Sequence, residues 1–271
     1  MEPIEEQGGA VGKERDVFGR TPKDRTDWSH RKGEPRVFAL FWTAYLMAAT
    51  LLMFASLSAA WVVSPESYRP AARMLLMVVS VGIVMLWPMT RLCQAAVVER
   101  PLWSTFKDMV VVLTPVQALV WPHALRMLAG WPVSVVAGVS CVTIAWGVVA
   151  GGVLAMAQVT RGGGRGGRGA VVRASWMRAC VALVAGAPLW LGLTGALRVD
   201  AIDGAEASTT VGWMFSAPTA VAEVTRARVW TGHPAAIGGL HWMAIVWTLC
   251  VGGACWAGAW GLGLARRRAS A

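Results

Sequence analysis

Side chains able to do chemistry are few in this chain of 271 residues. Its four histidines are His30, His123, His233 and His241. Imidazole is the commonest metal ligand and also binds haem iron. His123, His233 and His241 lie beside Trp121, Trp131, Trp230 and Trp242 at the edges of apolar runs. That grouping would suit a haem- or copper-handling site, with haem as the cofactor. The plainer reading is that His, like Trp, is at ease where apolar and polar phases meet. Cys93, Cys141, Cys180, Cys250 and Cys255 form no C-x-x-C pair and read as small apolar side chains.

Catalytic signatures are missing. There is no phosphate-binding P-loop, no G-x-S-x-G elbow and no H-E-x-x-H. Gly162, Gly164 and Gly167 satisfy G-x-G-x-x-G, but within an Arg-Gly tract and with no strand before it. A carboxylate–histidine cluster could come only from Asp200, Asp203, His233 and His241, whose spacing says nothing. The expectation is a protein that is not an enzyme.

Two further patterns concern packing. Gln117 stands between Pro115 and Pro122, where a broken helix could offer freed carbonyls and an amide to a substrate. The plainer alternative is an interhelical hydrogen bond. Gly147 and Gly151 are four residues apart, as are Gly253, Ala257 and Gly261 in turn. Small residues at this spacing let helix backbones approach closely in lipid, either within one chain or between chains.

The elements that must position these residues are membrane helices. The chain is 56% hydrophobic and only 15% charged, against about a quarter charged in ordinary soluble domains. A crossing needs about 20 mostly apolar residues. The sequence predicts an all-α polytopic membrane protein with six transmembrane helices near 37–63, 75–89, 109–127, 133–159, 179–197 and 240–264. Before them, residues 1–36 hold eight acidic and eight basic residues and read as a soluble, disordered tail. Ser64-Pro65-Glu66 and Tyr68-Arg69-Pro70 read as a tight polar turn. An Arg/Gly-rich segment spans 160–178, in which Ala170 to Arg178 could form a short interfacial helix. A longer segment spans 198–239, with Thr219 to Trp230 read as a helix lying on the surface. Residues 265–271 form a basic tail.

The net charge of +10 would suggest nucleic acid in a soluble protein. Here the basic residues crowd the ends of apolar runs and encode orientation instead. With both termini cytoplasmic, 14 near-membrane Lys and Arg fall inside and 6 outside. The partners expected are the bilayer and other membrane or cytoplasmic chains, with no nucleic acid. These features together point to a permease-like or scaffold subunit of a larger transport, export or respiratory assembly in a bacterial cytoplasmic membrane. The alternative is a haem- or metal-handling protein.

Overall fold

The computed structural model describes residues 35–57, 64–94, 101–161, 167–193, 211–226 and 235–270. Among them every regular element is helical: α1 (Pro35–Leu57), α2 (Pro65–Val81), α3 (Trp87–Cys93), α4 (Pro101–Val120), α5 (Val133–Arg161), α6 (Gly167–Leu193), α7 (Ala217–Val224) and α8 (Gly239–Ser270). Five stretches are long and apolar enough to cross a membrane, namely Phe38–Leu57, Pro65–Cys93, Val133–Thr160, Val171–Leu193 and Gly239–Arg266. The tail before Pro35 with His30, residues 198–210 with Asp200 and Asp203, and residues 227–234 with His233 lie outside the described residues.

The first crossing shows one buried stripe and one apolar exposed face. In α1 the buried set is Phe38, Trp42, Leu46, Ala49, Met53 and Leu57, while Leu40, Met47, Leu51, Leu52 and Phe54 are exposed. A three-to-four-residue rhythm with apolar side chains on both faces suits a helix between protein and lipid. α5 is buried over most of its length and packs against α4, α6 and α8.

The second crossing is longer than its apolar run. The expected turn at 64–70 is instead the first two turns of α2. Ser64 accepts from the Ser67 amide, Ser67 returns a bond to the Ser64 amide, and Pro65 takes the first helical position. That capping box supplies partners for two otherwise unpaired donors, so polar residues start the helix rather than precede it. At its far end Gly82–Leu86 widens into a π-turn, with the Trp87 N–H reaching the Gly82 carbonyl, before the rod continues as α3. Pro88 has no N–H to give to Val84, and the wider turn absorbs that gap. Gly82 also lets Tyr45 lie flat against the backbone, since a Cβ there would come 2.4 Å from Tyr45 Cε1.

The expected span 109–127 takes a different form. α4 starts earlier and stops at Val120, followed by the 3-10 turn Trp121–Ala124 and a reversal at Gly130 (φ 59°). It is not among the five helices above, because Lys107 and Asp108 shorten its apolar stretch. The interfacial helix expected at 170–178 is the first part of a continuous α6. The helix expected on the surface at 219–230 is also corrected. α7 covers Ala217–Val224 and is buried apart from Ala222, wedged against α2, α5 and α6. Its composition explains this, because Ala220, Val221 and Val224 give an apolar body too short to span and too greasy to lie in water.

Candidate functional site

α7 is held at the end of the bundle where α2, α5 and α8 begin. Pro188 within α6 cannot donate to the Val184 carbonyl one turn earlier. The Ser216 hydroxyl donates to that carbonyl at 2.7 Å. The residue that starts α7 therefore fills the gap that proline leaves in α6. At the other end of α7, the Arg73 guanidinium donates to the Thr225 carbonyl at 2.7 Å and to its hydroxyl at 3.2 Å. Arg69, one turn before Arg73, donates to the Ala129 carbonyl at 2.9 Å and ties down the α4–α5 reversal.

This wedge carries Glu223 into the protein. Its carboxylate is 4% exposed and faces the His241 ring, itself 1% exposed, with Oε1 3.8 Å from Nε2. The other oxygen lies 3.8 Å from a guanidinium nitrogen of Arg226. Among the described residues neither Glu223 Oε2 nor His241 Nε2 has a hydrogen-bond partner. His241 Nδ1 accepts from the Gly238 N–H at 2.9 Å. A nitrogen that accepts carries no proton, so the uncharged ring holds its proton on Nε2, facing Glu223. In this arrangement neither nitrogen offers a free lone pair to a metal.

His123 sits differently. Its Nδ1 lies 3.1 Å from the Val120 carbonyl, and its ring is flanked by Tyr68 and Trp131 with centroids 5.9 and 5.7 Å away. Nδ1 must therefore be the donor, which leaves a buried Nε2 lone pair without a partner among the described residues. His123 and His241 belong to the same end of the bundle, but each is enclosed by its own neighbours. The described residues contain no group of three or more His, Cys, Asp or Glu side chains able to hold a metal.

The Gln117 position is bound up within the bundle. Its amide donates to the Thr143 hydroxyl at 3.2 Å, and its carbonyl accepts from the Ser140 hydroxyl. Helix α4 runs through Pro115, and Pro122 lies in the 3-10 turn beyond its end. Trp42 donates to the Val112 carbonyl at 3.1 Å, one residue from the carbonyl that Pro115 frees. At the opposite end of the bundle Arg91 pairs with Asp108, donates to Gln94, and lies 4.9 Å over the Phe38 ring.

The glycine positions divide into two kinds. A Cβ on Gly147 would meet Leu113 of α4, and one on Gly151 would meet Trp256 and Met109, so both serve contacts within the chain. Gly253 and Gly261 have nothing within 4 Å, and Ala257 is exposed. That line of small residues looks away from the other described residues.

Spacing could not reveal Glu223, Arg73 or the Arg91–Asp108 pair, whose members come from separate elements. One signal was present: Glu223 is the only charged residue between Ala217 and Thr225, in a segment otherwise fit for a core. Together these features define a multi-pass helical membrane protein with a buried polar cluster at one end. The chain matches no protein-family model, no curated protein and no solved structure.

Proposed function

We propose that this chain is a non-catalytic membrane subunit that works through other chains, as a permease-like or scaffold component of a transport, export or respiratory assembly. The observation that carries the reading is the outward face of α8. Gly253, Ala257 and Gly261 make a shallow groove on a helix whose opposite face, through Gly252 and Trp256, already packs on α5. Trp247 and Trp260 are 66% and 61% exposed on the same helix. Large apolar side chains beside a small-residue groove suit a second helix, since packing drives helix association in lipid.

The reading includes six crossings with both termini in the cytoplasm of a bacterial cell. α4 would be the sixth crossing, and Thr105, Asp108, Thr114 and Gln117 are compatible with that place because each is paired. Asp108 meets Arg91, Gln117 meets Ser140 and Thr143, and the Thr105 and Thr114 hydroxyls return to carbonyls one turn back. A polar group that is satisfied inside the protein does not bar a helix from the bilayer. With six crossings the basic residues keep their 14-to-6 split in the cytoplasmic direction.

The test is purification from the native membrane in mild detergent, with identification of the chains that accompany it. Wild type is expected to bring down at least one stoichiometric partner, and Gly253→Leu/Gly261→Leu to lose it while remaining folded. Recovery of the wild type as a solitary chain would remove the basis of the reading.

A further inference from the structure

His241 occupies an unusual place at the start of α8. Gly238 precedes the helix, and its carbonyl accepts from the amides of His241 and Trp242 at 3.1 and 3.4 Å. Its own N–H donates to His241 Nδ1 at 2.9 Å. This is the geometry in which the third helical residue reaches back to the cap amide, a place usually filled by Glu or Gln. Here an imidazole does it, and an imidazole can accept at Nδ1 only while uncharged.

We propose that His241 is a proton-operated clasp that exchanges the Gly238 amide for the Glu223 carboxylate. Uncharged, the ring closes the first turn of α8 through Nδ1 and holds Nε2–H toward Glu223. Adding a proton fills Nδ1, so the Gly238 N–H loses its acceptor and faces another N–H. The positive ring also opposes the positive end of the α8 dipole. What it gains is an ion pair with Glu223, whose Oε1 is already 3.8 Å from Nε2 and is buried with it. The two states differ in which neighbour the ring holds, and Gly238 immediately before α8 with Gly239 at its first position leaves the backbone free to follow.

The charged groups around the ring set this balance. α7 contributes Glu223, and Arg226 just beyond it lies within reach of the same carboxylate. α2 contributes Arg73, engaged with Thr225. α5, against which α8 packs, has no charged side chain between Val133 and Thr160, and its one titratable group there is the Cys141 thiol. Among the described residues Glu223 is thus the one anion set against the ring, and it is the natural partner for a charged imidazole.

The experiment uses the full chain in lipid nanodiscs between about pH 8 and about pH 5, the range in which imidazoles change charge. After correction for intrinsic rates, hydrogen exchange at the amides of 238–242 should quicken several-fold at the acid end in wild type. His241→Gln supplies a permanent acceptor and should show no such change. Glu223→Gln removes the partner that receives the charged ring and should shrink the acid-end change. Nitrogen-15 spectra of labelled histidine give an independent readout that needs no variant. They should show His241 protonated on Nε2 alone at the alkaline end and on both nitrogens at the acid end. A ring that never charges, one protonated on Nδ1 at the alkaline end, or equal pH dependence in His241→Gln would overturn the proposal.

Discussion

Two hydrogen-bonded pairs show how single residues hold this bundle together. Pro188 leaves the Val184 carbonyl without its helical donor, and Ser216 supplies one from another element. Ser216→Ala should therefore cost about 1 kcal/mol, the usual value of a lost hydrogen bond. In a Pro188→Ala background the amide of residue 188 can serve the carbonyl itself, and the Ser216→Ala cost should largely vanish. Thermal unfolding of the four variants in detergent measures the coupling, and equal costs in both backgrounds would refute it. Arg91 and Asp108 make the second case, at 5% and 8% side-chain exposure. Removing one partner strands a buried charge, so Arg91→Met should destabilise by about 3–5 kcal/mol. Arg91→Met/Asp108→Leu removes both charges and should recover most of that loss in the same assay.

At the scale of elements, the α5–α8 contact is where glycine matters most. A Cβ on Gly252 would come 2.8 Å from Val148 Cγ1 and 3.0 Å from the Val149 amide nitrogen. Backbone cannot step aside as a side chain can, so Gly252→Ala should cost about 1–3 kcal/mol by overpacking. Gly253→Ala meets open space and should be neutral or stabilising by up to about 1 kcal/mol, because alanine orders a helix more cheaply than glycine. Equal melting temperatures for the two variants would show that the face of α8 has been misassigned. Hydropathy alone was enough to find α1, α5 and the membrane part of α8, whose apolar runs are long and uncharged. It could not fix the start of α2, because Ser64, Pro65 and Ser67 carry both turn and helix-cap signals, and only the chain's path decides between them. α7 misled in the opposite way. Its burial follows from Arg73, Val184 and the Pro188 gap, all remote in sequence. The same remoteness hid Glu223 facing His241, because periodicity within one segment carries no information about which segment lies opposite.

For the whole molecule, the open quantity is the parity of crossings, and α4 decides it. If α4 crosses, the Arg-rich stretch 161–178 and the Arg266–Arg268 cluster both lie on the side of the amino terminus. If α4 only dips into the bilayer, everything after it changes side, and those basic groups would face outward against the usual bias. The internal pairing of Asp108 and Gln117 removes the main cost of a crossing, since an unpaired polar group in hydrocarbon is what forbids one. Six crossings therefore predict a definite labelling pattern. In a Cys-free background, Glu66→Cys probes the α1–α2 connection and Ser270→Cys probes the end of α8. A membrane-impermeant thiol reagent applied to intact cells should modify the first and spare the second until the membrane is opened. Labelling of both from outside would mean five crossings and an outward carboxyl end. The outward groove of α8 would then present the same small residues with the opposite polarity relative to the membrane, and a partner would have to approach in the reverse sense. Parity thus fixes more than topology: it decides which end of α8, the His241 clasp or the arginine cluster, is open to the cytoplasm and to the partners found there.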